Sequence, residues 1–109
     1  MTDKDFDSIV EHRISTIQEI LLVKAKEYAR NGDRLHNFKR AAALERCTPE
    51  RALRGMLTKH IISVYDMIDD LERDIWTERS VWNEKIGDMI NYAILLEALI
   101  EERGHVKKS

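Results

Sequence analysis

Glycine and proline are scarce in this chain, with four glycines and one proline among 109 residues. These two residue types supply most of the tight turns that a protein needs. A chain with so few of them cannot form the many short strands of a barrel or a sandwich. The hydrophobic fraction of 43% provides enough apolar material for one core, which argues against disorder. The sequence therefore predicts a single all-α domain over residues 1–109.

The first long helix is predicted over residues 2–30. Its apolar residues recur at spacings of three and four, which is typical of one helix face. Thr2 or Asp3 can cap its start, and Asn31-Gly32 favours its end because glycine readily adopts the left-handed conformation.

A polar hinge and a short helix are predicted over residues 31–47, with the short helix running from 38 to 46. Asn37 can cap this helix, because an asparagine side chain accepts hydrogen bonds from the free N–H groups of a first turn.

Two further long helices are predicted over residues 48–76 and 80–103. Thr48 is the expected N-cap of the first, with Pro49 in its first turn. Gly104 is the expected end of the second. The predicted architecture is a small bundle of three long helices and one short helix.

The last predicted helix is apolar on almost every side between Met89 and Ile100, where Asn91 and Glu97 interrupt the apolar run. A helix with so little polar face needs cover on more than one side. In a three-helix bundle each helix has two neighbours, so we expect a homo-oligomer, a dimer or a tetramer, to bury the remaining face.

Charge and cysteine content narrow the function classes. The net charge of -2 does not suggest nucleic-acid binding, although it leaves a local basic patch open in a chain with 35% charged residues. Cys47 is the single cysteine and is interpreted as structural. The sequence has no amino-terminal apolar run behind a basic segment and no stretch of about 18 apolar residues. These features predict a soluble cytoplasmic protein without a membrane partner.

Acidic residues of the last helix lie on an unexpected face. Glu84, Asp88 and Asn91 share one line at about 100° per residue, and that line continues into Leu95 and Leu99. Two carboxylates at positions i and i+4 repel each other. A hard cation such as Mg²⁺ would remove that repulsion, because it prefers carboxylate oxygens.

The preceding helix carries a companion line of Lys59, Ser63, Asp66 and Asp70. If the two lines face each other, the bundle contains a carboxylate-rich pocket with a lysine nearby, as in helical bundles that bind metals. The alternative is a plain solvated face. His60 lies near the apolar stripe of this helix and is interpreted as a packing residue.

The hinge is a second candidate for ligand binding. Arg34 offers a planar fork for phosphate or base edges. His36 and Asn37 can donate and accept hydrogen bonds, and Phe38 or Tyr28 can stack on a ring. The alternative is an ordinary loop between helices, with Phe38 as a core anchor.

The run from Glu84 to Leu96 resembles the last helix of the all-α nucleoside triphosphate pyrophosphatases, the MazG-like group. It is closer still to small phage and bacterial domains linked to nucleotide modification. Lys26-Glu27-Tyr28, followed by Asn37-Phe38, is similar to the exit of their first helix. By pattern, the resemblance covers about residues 20–100.

This resemblance implies a Mg²⁺-dependent enzyme that hydrolyses a nucleoside triphosphate to the monophosphate and pyrophosphate. The family holds Mg²⁺ on an E-x-x-E segment and an E-x-x-D segment. Asp88 matches the final Asp, and Glu84 matches the preceding acid with a displacement of one position. Ser63-x-x-Asp66 stands where E-x-x-E is expected, with Lys59 one turn before it.

The resemblance and the residues together assign roles. Asp66, Glu84 and Asp88 are the expected Mg²⁺ ligands, and Lys59 and Arg34 the expected phosphate contacts. The remaining expected nucleotide contacts are Tyr28, His36, Asn37, Phe38 and Asn91. The missing E-x-x-E leaves open a nucleotide-binding protein without hydrolysis, and a non-enzymatic oligomeric adaptor or inhibitor is the third possibility.

Overall fold

A computed structural model describes residues 1–25 and 32–108, with side chains through residue 105 in the second range. Its described residues are almost entirely helical, and the predicted all-α class is confirmed. By contacts the chain divides into two compact units, Met1–Arg34 and Leu35–Ser109. The single domain expected from the sequence stays a prediction.

The Met1–Arg34 unit opens with helix α1, Asp3–Ile17. The Thr2 hydroxyl accepts a hydrogen bond of 3.1 Å from the Asp5 N–H, which confirms Thr2 as the N-cap. Gln18–Lys24 continue as a π-helix, in which the Ala25 N–H reaches the Ile20 carbonyl five residues back. The predicted first helix is thus confirmed as far as residue 25, with an unforeseen π segment. Residues 26–31, including Tyr28, lie outside the described residues.

The apolar face of α1 is exposed to solvent. The helix contains no buried residue. Phe6, Ile9 and Ile14 are each at least half exposed, at 58%, 51% and 50%, and Val10 is 41% exposed. The periodicity therefore predicted the helix correctly, while the burial that normally accompanies such a face is absent from these residues.

The Leu35–Ser109 unit begins with helix α2, His36–Glu45. Leu35 occupies its N-cap position without a side-chain hydrogen bond. The predicted cap role of Asn37 is therefore wrong, because Asn37 lies inside the first turn. Arg46 ends the helix in the left-handed conformation at φ 56°, and the Cys47 N–H donates to the Ala42 carbonyl at 3.0 Å.

Helix α3 spans Pro49–Glu72. Its predicted start is confirmed, since the Thr48 hydroxyl accepts a hydrogen bond from the Arg51 N–H at 3.2 Å. The helix ends earlier than the predicted limit of residue 76. Arg73 bonds to the Asp70 carboxylate at 2.6 Å, and Asp74 adopts a positive φ of 60° that turns the chain.

Helix α4 spans Arg79–Lys108 and passes through Gly104, where its end was predicted. Gly104 is not among the described glycines with positive φ, so it forms no left-handed cap. The prediction of a helix end there is wrong. Glycine costs about 1 kcal/mol relative to alanine inside a helix, which the surrounding turns tolerate.

The core of this unit joins α2, α3 and α4. Its buried residues are Leu35, Phe38, Leu53 and Leu99, with Tyr92 among the partly buried residues packed against them. Leu53 is only 1% exposed. Burying a leucine side chain contributes about 1.5–3 kcal/mol, so these contacts fix how the three helices pack.

Ion pairs tie α4 to the other two helices at its far end. The Arg103 guanidinium donates two hydrogen bonds of 2.7 Å to the Glu50 carboxylate in the first turn of α3. Lys39 of α2 lies 2.7 Å from the Glu102 carboxylate. Since Glu50 starts α3 and Arg103 is late in α4, these two helices run antiparallel.

The apolar residues of α4 are buried on one side only within a single chain. Ile94 and Ile100 are 38% and 52% exposed, whereas Leu99 between them is buried. An oligomer that covers the exposed residues stays a prediction. Among the described residues, no helix combines the length and apolar content required to cross a lipid bilayer.

Candidate functional site

The most distinctive polar contact of the Leu35–Ser109 unit lies between α3 and α4. The His60 Nδ1 atom is 3.5 Å from the Asp88 Oδ2 atom. The two side chains are partly covered, with exposed fractions of 25% and 31%. Asp88 therefore contacts a neighbouring helix while its side chain stays partly exposed to solvent.

Tyr92 extends this contact by one helical turn beyond Asp88. Its ring lies 5.0 Å from the His60 ring at a tilt of 34°. On its other side it meets the buried Phe38 ring edge-to-face at 6.2 Å and 74°. Residues from three helices thus meet in one place, which we call the His60–Asp88–Tyr92 cluster.

The electrostatics of the cluster act on the Tyr92 phenol. Burial raises the pKa of Tyr92 above its ordinary value, and the negative charge of Asp88 raises that pKa further. Both causes disfavour the phenolate. The Tyr92 hydroxyl is therefore neutral at physiological pH and remains a hydrogen-bond donor.

Asn91 lies beside the cluster on α4, three residues after Asp88. It is a buried polar residue, only 7% exposed. Its side-chain carbonyl oxygen accepts no hydrogen bond from any residue that the structure describes. A buried amide oxygen without a partner costs about 1–3 kcal/mol, so this atom is a candidate acceptor for a ligand or a water.

The other predicted acids, Glu84 and Asp66, are more exposed than Asp88. Glu84 lies one turn before Asp88 and is exposed, and on α3 Lys59 and Asp66 are exposed too. The antiparallel register set by the Glu50–Arg103 and His60–Asp88 contacts puts Asp66 level with Glu84 along the bundle. In the part of the chain that is described, however, no three acidic, histidine or cysteine side chains form a group ready to hold a metal ion.

The hinge residues divide between the two units. Arg34, in the first unit, donates a hydrogen bond of 2.7 Å to the Leu21 carbonyl. In the second unit, His36 is half-buried and Asn37 is exposed in the first turn of α2. Phe38 is a core residue at 6% exposure, as the alternative reading expected.

Sequence reasoning did not include His60 and Tyr92 in the candidate site. His60 was interpreted as a packing residue, and its ring does pack on Tyr92. Two signals were available: Asp88 and Tyr92 are four residues apart on one helix face, and His60 lies on the stripe of α3. The missing information was the register between the two helices.

Comparison with family models, with curated proteins and with solved structures finds no match to this chain. The resemblance to the MazG-like pyrophosphatases therefore stays a prediction that depends on the sequence motifs quoted above.

Proposed function

We propose that the Leu35–Ser109 unit binds a nucleoside triphosphate together with Mg²⁺ and hydrolyses it to the monophosphate and pyrophosphate. The observation that carries the proposal is the placement of Asp88. It is the motif residue that matches the family's final aspartate, and it is held 3.5 Å from His60 with its carboxylate partly open to solvent.

Glu84 and Asp88 offer carboxylates one turn apart on α4, and Asp66 is level with Glu84 on α3, although these side chains form no preassembled metal group among the described residues. Mg²⁺ in proteins is usually held by one or two carboxylates and by substrate phosphates, with several retained waters. We therefore expect Mg²⁺ to bind with the nucleotide. The ion would supply charge neutralisation and an activated water.

The other residues of the site would bind and orient the nucleotide. His60 lies 3.5 Å from the Asp88 carboxylate and would help to orient it, and the exposed Lys59 ammonium can pair with phosphate oxygens. A nucleotide that displaced the side chains covering Asn91 would reach its unpartnered carbonyl with a base or sugar hydroxyl. The neutral Tyr92 hydroxyl can donate a hydrogen bond.

The test is pyrophosphate release from a panel of ribo- and deoxynucleoside triphosphates with Mg²⁺. The wild-type chain is expected to release pyrophosphate from at least one member, and Asp88→Asn to lose this activity. Asp69→Asn, the same change at an exposed position of α3, is the matched control and should keep it. Absence of release from every member, with no Mg²⁺-dependent nucleotide binding, would contradict the proposal.

Binding without hydrolysis is a distinct outcome of the same experiment. Ser63 stands where the family places the first acid of E-x-x-E, so one expected ligand is missing. In that case the nucleotide would still raise the melting temperature in the presence of Mg²⁺, by mass action on the folded state. Asp88→Asn should weaken that rise, whereas Asp69→Asn should leave it intact.

The exposed face of α1 favours a second candidate function, an oligomeric adaptor. Phe6, Ile9, Val10 and Ile14 form an apolar stripe that is 41–58% exposed. A second copy of the chain is the proposed partner, since a self-complementary interface suits a symmetric dimer. Light scattering on the wild type and on Phe6→Ser/Ile14→Ser distinguishes an oligomer formed through this stripe from a monomer. An oligomer that dissociates in the variant supports this candidate, and a wild-type monomer contradicts it.

A further inference from the structure

A concave surface lies where α2 turns into α3. It is a groove of about 810 Å³ with an apolar floor of Leu53, Leu57 and Leu96. Arg46, Arg51 and Arg54 line its rim. None of the residues assigned to the proposed nucleotide site lines this groove.

The rim carries an excess of positive charge. Arg46, Arg51 and Arg54 are exposed, and their guanidinium groups form no ion pair with a described residue. Of the two lining carboxylates, that of Glu50 is already bound by both hydrogen bonds from Arg103. Arginine presents a planar fork of donors that matches phosphate, and three arginines line this rim.

No residue of the His60–Asp88–Tyr92 cluster lines the groove, although His60 follows Leu57 by about one turn on the same side of α3. Because the two surfaces share no lining residue, substitutions at the rim arginines and at Asp88 test them separately.

We propose that this groove binds an organic phosphate monoester. The arginine forks would hold the phosphate, and the leucine floor would take an apolar or aromatic body. Charge complementarity selects the anion, and the buried floor selects a ligand larger than inorganic phosphate. A small phosphorylated metabolite and the 5′-phosphate of a nucleic-acid strand share this chemistry.

Phenyl phosphate is the first probe, titrated by calorimetry in EDTA so that Mg²⁺-dependent binding is absent. We expect it to bind more tightly than inorganic phosphate, and benzyl alcohol not to bind. Arg51→Gln/Arg54→Gln should weaken phenyl phosphate by at least about tenfold. The matched control, Arg40→Gln/Arg79→Gln, removes two exposed arginines that do not line the groove and should bind as wild type does.

Cys47 gives an independent readout, since it lines the groove and is the only cysteine in the chain. Phenyl phosphate should slow its alkylation by iodoacetamide in the wild type and in the control, but not in Arg51→Gln/Arg54→Gln. Equal affinity in all three proteins, or binding without protection of Cys47, would overturn the proposal.

Two further probes identify the source of the phosphate. Arginine-dependent binding of adenosine monophosphate would assign a small metabolite. Arginine-dependent binding of a short 5′-phosphorylated oligonucleotide, absent from its unphosphorylated form, would assign a strand end. If neither binds in an arginine-dependent way, the groove does not recognise a biological phosphate monoester and the proposal fails.

Discussion

The His60 Nδ1 atom of α3 lies 3.5 Å from the Asp88 Oδ2 atom of α4, and both side chains are partly exposed. This pairing places a negative charge one turn from the Tyr92 phenol, in a setting that already disfavours the phenolate. The electrostatic consequence can be measured without knowing the ligand.

Asp88→Asn is expected to lower the pKa of Tyr92 towards its ordinary value without restoring it fully. Burial is the larger cause of the upward shift and survives the substitution, whereas the charge of Asp88 does not. Ultraviolet titration of the phenolate measures the change, with Tyr92→Phe identifying its signal among the three tyrosines. An unchanged pKa in Asp88→Asn would mean that the carboxylate lies farther from the phenol than described.

Glu50→Gln is expected to destabilise the fold above about pH 5 and to have little effect in acid. The hydrogen bonds from Arg103 are the largest cause that lowers the pKa of Glu50. A carboxylate with a lowered folded-state pKa stabilises the fold above its unfolded pKa of about 4.3, and this stability is lost as the pH falls through the folded value. Urea unfolding across pH 3–7 measures it. Glu97→Gln, at an exposed position of α4, should change little at any pH.

Leu53→Ala is expected to cost about 2–5 kcal/mol in the free energy of unfolding. The Leu53 side chain is 1% exposed, so truncation leaves a cavity among the core residues. Leu44→Ala makes the same change at a position that is 74% exposed and should alter stability by less than about 0.5 kcal/mol. Similar costs at the two sites would contradict the described core.

Asn91→Leu is expected to raise the free energy of unfolding by about 1 kcal/mol, because it removes a buried carbonyl that lacks a described partner. Asn91→Asp should lower stability, since it places a charge at a site that is 7% exposed. Thermal unfolding of both variants provides the measurement. A loss of stability in Asn91→Leu would reveal a partner for the carbonyl in solution. A gain in stability combined with weaker nucleotide binding would fit a residue retained for the ligand.

Local signals in the sequence were sufficient for the helices and for the starts of α1 and α3. Thr48-Pro49 predicted the start of α3 because capping depends only on neighbouring residues. Gly104 misled for the related reason that a glycine permits a helix end without requiring one. The start at Thr48 depends only on its neighbours, whereas a helix end at Gly104 also depends on the residues that follow, and these continue the helix.

The candidate site needed information that periodicity does not contain. Helical spacing correctly placed Glu84, Asp88 and Asn91 along one side of α4, although it could not fix the rotation of α4 against α3. That rotation is set by core contacts such as those of Leu53 and Leu99, which are far apart in sequence. It decides that Asp88 meets His60, and that Asp66 and Glu84 stay exposed.

The contact between Glu50 and Arg103 has a consequence for synthesis on the ribosome. Chains grow at about 5–20 residues per second, so roughly 3–10 seconds separate the addition of Glu50 from that of Arg103. The interval between Leu53 and Leu99 is almost as long. During this interval the apolar residues of the α2 and α3 segments lack the cover that α4 provides, so the nascent chain exposes a surface that chaperones can bind.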